Sequence, residues 1–285
     1  MRHDLAPTHP TSFQRYQPTA LLSTVVESLW LQQCPWTGSS AGQVIVPAVR
    51  CELIFNFADP FVHSSPTFER VPLASIQGLR TVPIVAAPTG RTGLLIVNLQ
   101  PWALGVLCGI DGKDAKNLSI DLNEVWPAHC VERLLHDLRK PQENLSRIKL
   151  ISDFLAQKLG SWRHELRTAR AVTQLSQGQA LRDVAQQLGV GRRQLQRIVR
   201  TSTGIAPKQL ANLVRCQHAL NQLRCSRPLA EVSHANGYVD QSHMHKELKR
   251  FTGLTPKALR QRQTCSELAV FNRPSENALF GVTYL

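Results

Sequence analysis

Two stretches of this chain repeat one another. Leu181-Arg182-Asp183-Val184-Ala185, Gly189-Val190, Leu195, Val199 and Gly204-Ile205-Ala206-Pro207-Lys208 are answered by Leu229-Ala230-Glu231-Val232-Ser233, Gly237-Tyr238, Met244, Leu248 and Gly253-Leu254-Thr255-Pro256-Lys257. Equivalent positions lie 48 residues apart before the central turn and 49 after it, so the second copy has one extra residue in that turn. In the first copy Leu181, Val184, Ala185 and Leu188 form the stripe of an amphipathic helix. A glycine then permits a sharp turn, and a second helix opens with polar residues over an apolar face. That is the pattern of a helix-turn-helix, whose second helix lies in the major groove of DNA. An αα-hairpin inside a helical bundle explains the apolar stripe equally well.

Charge separates the two. The second helix of the first copy carries Arg192, Arg193, Arg197 and Arg200 on its expected outward face, and that of the second carries Lys246, Lys249 and Arg250. Only Glu247 and Asp240 oppose them. Residues 1–160 hold 14 Lys+Arg against 13 Asp+Glu, whereas residues 161–270 hold 18 against 6. The chain's net charge of +13 therefore sits with the repeat. Such clustering is the electrostatic footprint of phosphate binding, beside a neutral region that does something else.

At 285 residues the chain fits two domains, each able to bury a core. The neutral region shows short β-branched or aromatic runs: Val44-Ile45-Val46, Glu52 to Phe57, Pro83 to Ala86 and Leu94 to Leu99. Gly, Pro, Ser and Thr punctuate them, which predicts an antiparallel barrel or sandwich. Helices are expected over Val131–Leu138 and from Pro141 to a C-cap at Gly160. The fold expected is α+β: a β-rich, barrel-like sensor or dimerisation domain with trailing helices over 1–150, and an all-α domain over 162–263. The latter holds one helix-turn-helix at about 180–202 and another at about 228–251, joined by a linker helix. Residues 264–285, with Phe271, Phe280 and Tyr284, form an unassigned tail. A small barrel can enclose a ligand or be filled by its own side chains and serve dimerisation; both readings are compatible with these strands.

Catalytic and metal signals are poor. G-x-x-x-x-G-K-[ST], G-x-G-x-x-G and G-x-S-x-G are absent. Ser146-Arg147-Ile148-Lys149 matches S-x-x-K without companion motifs and is better read as the capped start of a surface helix. His63, His129 and His136 lack ligand spacing, and His243 and His245 point to different faces of a helix, so no metal or cofactor is expected. Seven cysteines, an odd number with no C-x-x-C, suit reduced thiols. No apolar run approaches the roughly 18 residues that span a bilayer, and the start lacks a signal-peptide core, so a cytoplasmic protein without membrane contact is expected.

The last hundred or so residues resemble the DNA-binding domain of the AraC/XylS family of bacterial transcription regulators. The stretch from Lys246 to Arg260, with its Gly253-Leu254-Thr255-Pro256, is most like the family signature. The resemblance implies an all-helical fold in which the helix from about Pro207 to Leu223 holds the two readers apart. It places base contacts on Arg193, Gln196 and Arg197 in the first reader and on Gln241, Ser242, His245 and Lys246 in the second. Phosphate contacts fall on Arg192, Arg200, Lys249 and Arg250, while Leu195 and Met244 face inward. The family caps each recognition helix with Ser or Thr, where Gly191 and Val239 stand here; Asp240 is expected to take over the second cap. His243-Met244 replaces two aromatics of the family. The amino-terminal half looks, more loosely, like the family's β-rich sensor domain, with Pro47-Ala48-Val49 where Pro-Asp-Gly is usual.

The function this implies is sequence-specific promoter binding, with activation through RNA polymerase or exclusion of it. A small-molecule effector or homodimerisation through the amino-terminal domain would modulate it. Two rivals are a DNA-tethered enzyme with a cysteine nucleophile and an architectural DNA-binding protein without effector.

Overall fold

In the computed structural model, which describes residues 12–35, 43–65, 67–159, 166–223 and 227–259, the amino-terminal part is two antiparallel sheets. The larger orders its strands β1 (Ser12–Tyr16), β2 (Val26–Cys34), β9 (Thr92–Leu99), β4 (Cys51–Asn56), β7 (Ala74–Gln77) and β10 (Ser119–Asp121). The smaller orders β3 (Gln43–Ile45), β8 (Ile84–Pro88), β5 (Phe61–Ser65) and β6 (Thr67–Arg70). They face each other as a barrel-like sandwich that is not closed.

Alternation along the strands assigns each face a neighbour. Leu29, Leu31, Leu53, Phe55, Ile76, Leu95 and Val97 share the outer face of the large sheet and belong to the main apolar core. Helices α3 (Ala128–Arg139) and α4 (Asn144–Lys158) add Val131, Leu134, Leu138, Ile151 and Leu155 to that core. The opposite face gives Trp30, Leu94 and Ile96 to a smaller core with Phe61 and Ala86 of the small sheet. Both faces are covered, so its strands need not read as apolar-in, polar-out.

The stretch expected to open a surface helix at Ser146 behaves otherwise. Ser146 lies inside α4, and Arg147 beside it is buried. Its guanidinium donates to the carbonyls of Leu138, Lys140 and Gln142 at 2.8–3.1 Å, satisfying groups that the end of α3 leaves open. Gly160, expected as a C-cap, lies outside the described residues, as does the tail with Phe271, Phe280 and Tyr284; α4 ends at Lys158 with Leu159 as cap.

The carboxy-terminal part is helical: α5 (Leu166–Ser176), α6 (Leu181–Gln187), α7 (Arg192–Thr203), α8 (Pro207–Leu223), α9 (Leu229–Ala235) and α10 (Gln241–Thr252). It meets the sandwich through two short helices after β9, α1 (Leu104–Cys108) and α2 (Gly112–Ala115). A Cβ on Gly112 would fall 2.0 Å from the Ser202 carbonyl oxygen, so α2 approaches the end of α7 as closely as only glycine permits. The main apolar core continues across this seam without a break.

Candidate nucleic-acid interface

The two copies fold alike on either side of the turn in which the second has one extra residue. In each, a glycine at positive φ (Gly189 at 61°, Gly237 at 67°) turns the chain in open space, so backbone conformation rather than crowding demands glycine. The next residue closes the turn: Val190 N donates to Ala185 O at 3.0 Å and Tyr238 N to Ser233 O at 3.1 Å. At the far end Thr203 Oγ1 donates to Val199 O and accepts from Ile205 N, and Thr252 repeats this with Leu248 and Leu254. These buried threonines escaped the sequence reading, although their spacing of 49 residues matches the repeat.

Leu195 and Val199 bury the inner side of α7, as do Met244, Leu248 and Phe251 on α10. Arg192, Arg193, Gln196, Arg197 and Arg200 are all exposed on α7. On α10, Gln241, Ser242, Lys246, Lys249 and Arg250 are exposed. His245 is half-buried, and its Nε2 is buried without a hydrogen-bond partner, so it is presented less freely than the other ten.

Both acids expected among the cations are otherwise engaged. Asp240 accepts from His243 N at 2.6 Å and caps α10, whereas Gly191 at the start of α7 makes no side-chain cap. Glu247 is not on the outward face: it is 7% exposed and turned toward α8. Arg215 of α8 grips it with Nε and Nη2 at 2.9–3.2 Å and lies over the Tyr238 ring at 4.7 Å. Burying a carboxylate at that depth is costly without such a partner. The exposed faces of α7 and α10 therefore carry seven cations and no acid beyond the capping Asp240. Val239, in the turn before α10, is 87% exposed.

Helix α8, 17 residues long, separates the readers by about 25 Å of axis at 1.5 Å per residue. That length suits successive major-groove entries about one helical turn of DNA apart. It buries Leu210, Leu213, Leu220 and Leu223, and no helix among the described residues is long and apolar enough to cross a membrane. Burial pushes the thiols of Cys51, Cys108 and Cys216 up to about 12, which keeps them protonated near neutral pH.

The family described as "Helix-turn-helix domain" matches residues 184–262, and that described as "Domain of unknown function (DUF6597)" matches residues 14–121. No curated protein matches the chain. Among solved structures it is similar to ToxT from Vibrio cholerae O395, at 11% identity and a TM-score of 0.45, covering 89% of this chain and 99% of that one. It is also similar to wild-type, unsaturated fatty acid bound ToxT from Vibrio cholerae strain SCE256, at 8% identity and a TM-score of 0.43, covering 90% and 97%. A third is the C-terminal domain of AraT, a response regulator from Geobacillus stearothermophilus, at 24% identity and a TM-score of 0.31, covering 35% and 87%. With two helix-turn-helix units in tandem and the family match laid over them, the carboxy-terminal region of this chain is an AraC-type helix-turn-helix domain.

Proposed function

We propose that the chain is a cytoplasmic, non-enzymatic transcription regulator that binds promoter DNA sequence-specifically through α7 and α10. The observation that carries this reading is the pair of exposed basic helix faces, cleared of acids by the inward turn of Glu247 and the capping role of Asp240. In the first reader Arg193 and Arg197 suit guanine and Gln196 suits adenine. In the second, Gln241, Ser242 and Lys246 reach bases, with His245 a more constrained contact, and the exposed Val239 suits a thymine methyl group. Arg192, Arg200, Lys249 and Arg250 bind phosphate. Promoter binding then acts through contact with RNA polymerase, as an activator, or by exclusion of it.

The first reader supplies most of the specificity and the second mostly backbone affinity. Arg197→Ala should relax base preference, costing about 1–3 kcal/mol on the preferred site, whereas Lys249→Ala, at a phosphate contact, should weaken all sequences alike. Binding-site selection with both variants at near-physiological salt checks this, and the opposite assignment of effects sinks it. Diffuse, steeply salt-dependent occupancy without a shared motif would instead favour the architectural rival.

Regulation enters from the sandwich, by effector binding or homodimerisation. Its route is the seam, where Gly112 abuts Ser202 five residues past Arg197 on the same helix. A cavity of about 240 Å³ opens there, lined by Trp102 and Asp111 on one side and by Arg197 and Thr201 on the other. A shift of α2 thus bears directly on a base-reading helix. Native-state thiol alkylation tests the enzymatic rival: Cys51, Cys108 and Cys216 should resist, and a fast-reacting thiol whose loss abolishes a measured activity would revive it.

A further inference from the structure

The extra residue of the second copy is Val239. In the first reader Gly189 is followed by Val190, which packs against the core, and then by Gly191, from which α7 starts. In the second, Gly237 is followed by Tyr238, Val239 and Asp240 before α10 starts. Val239 therefore has no counterpart in the first reader, and both of its neighbours are committed. Tyr238 is buried, with the Arg215 guanidinium over its ring at 4.7 Å and the His243 ring edge-on to it at 5.4 Å. Asp240 accepts from His243 N at 2.6 Å and caps the helix. The turn is thus pinned on both sides of Val239, whose side chain is left 87% exposed.

Local structure gives no reason for valine at this place. Turns favour Gly, Asn, Asp or Ser, which serve them through positive φ or local hydrogen bonds, and a branched apolar side chain supplies neither. Burial gives no reason either. The other large apolar side chains exposed among the described residues, Leu21, Val82, Leu118 and Leu145, belong to the amino-terminal part and are 48–66% exposed. Val239 is the member of this group that lies in the helical part, at the entrance to a recognition helix, with the exposed Gln241 and Ser242 in the turn that follows.

Helices of this kind enter the major groove by their N-terminal residues, which brings Val239 to base edges. Without a donor or acceptor in its side chain it offers a phosphate nothing. The apolar group that the major groove presents is the methyl on C5 of thymine. Cytosine has a bare C5 at the same place, and 5-methylcytosine restores the methyl without altering the pairing edge.

We propose that Val239 makes the second reader a detector of the pyrimidine 5-methyl group at one base pair, favouring thymine and 5-methylcytosine there over uracil and cytosine. This rests on the regulator reading above and adds to it a response to cytosine methylation. The pinned turn holds the valine in place before DNA arrives, so little ordering cost is set against a small contact.

The test is a cycle of substitutions on both sides of the contact, with the full chain on its selected DNA site at fixed salt. Each thymine of the site is replaced in turn by uracil, which removes one methyl and keeps every hydrogen bond. One such replacement, in the half of the site read by α10, should weaken wild-type binding about fourfold, the contribution of one buried methyl. Val239→Ala should bind the thymine site more weakly and should not distinguish thymine from uracil at that position. Thymines in the other half should respond alike in both proteins. With cytosine at that position, 5-methylation should strengthen binding by about the same factor in the wild type and leave the variant indifferent. The melting temperature should not change, because the truncated side chain is exposed. A uracil penalty that persists in Val239→Ala, or a site in which no thymine methyl matters, overturns the contact and leaves the regulator. Absence of any preferred site removes the regulator and the contact with it. Unchanged DNA binding by Val239→Ala together with lost promoter activity overturns the contact and assigns the turn to a protein partner.

Discussion

The two helix-turn-helix units have matching backbones and different anchorage. The first begins α7 without a side-chain cap and ends it against the sandwich, backbone on backbone, at Gly112 and Ser202. The second begins α10 with a capping Asp240 and holds its middle to α8 through Glu247 and Arg215, with Tyr238 under the guanidinium. One reader thus meets the amino-terminal domain backbone on backbone, and the other is tied to the linker helix by a buried ion pair. Repetition of sequence supplies two surfaces for the same polymer, and the residues that differ decide what else each surface answers to.

The largest effect should come from breaking the second anchorage. Glu247→Ala removes the carboxylate from a pair that is mostly buried on the acidic side and leaves Arg215 over an aromatic ring, at a cost of about 3 kcal/mol. Thermal unfolding should show it, and a double-mutant cycle with Arg215→Ala should recover most of the loss as coupling. Independent effects of the two substitutions would mean that the pair does not hold α10.

Next comes the seam. Gly112→Ala places a methyl group 2.0 Å from the Ser202 carbonyl, which neither backbone can absorb, so the contact should open at a cost of about 2 kcal/mol. Hydrogen exchange should rise at the end of α7 and stay unchanged in α10. Equal change in both helices would erase the distinction drawn between the two anchorages.

The caps give the smallest effects. Asp240→Ala should cost about 1 kcal/mol and loosen the first turn of α10, read as faster exchange of the His243 amide. Gly191→Ser should add the cap that α7 lacks and stabilise it by about 0.3 kcal/mol, with melting temperature as the measure. A gain of that size in the first reader against a larger loss in the second would sharpen the contrast.

Much of this was open to reading in the chain. The repeat, the one-residue difference in its turn, the inward Leu195 and Met244 and the cap at Asp240 all follow from short-range periodicity and helix chemistry. The runs at Val44, Glu52, Pro83 and Leu94 became β3, β4, β8 and β9. Strand β2 did not announce itself, because Ser28, Gln32 and Gln33 interrupt its apolar residues as exposed positions would, yet Ser28 and Gln32 are buried between sheets. Glu247 misled in the same way: next to Lys246 it reads as surface charge, and only the Arg215 of another helix explains its depth.

By itself, then, the sequence determined local form, namely two helix-turn-helix units, their basic faces and several strands, because helices and turns depend on neighbours within a few residues. Tertiary structure alone decided which charges face solvent, how Gly112 meets Ser202, and that the polar residues Ser28, Asn98, Glu52, Gln77 and Ser119 form one row across the large sheet. Those outcomes depend on register between strands and on contacts between distant segments, and a one-residue slip in register would send each of those side chains to the other face.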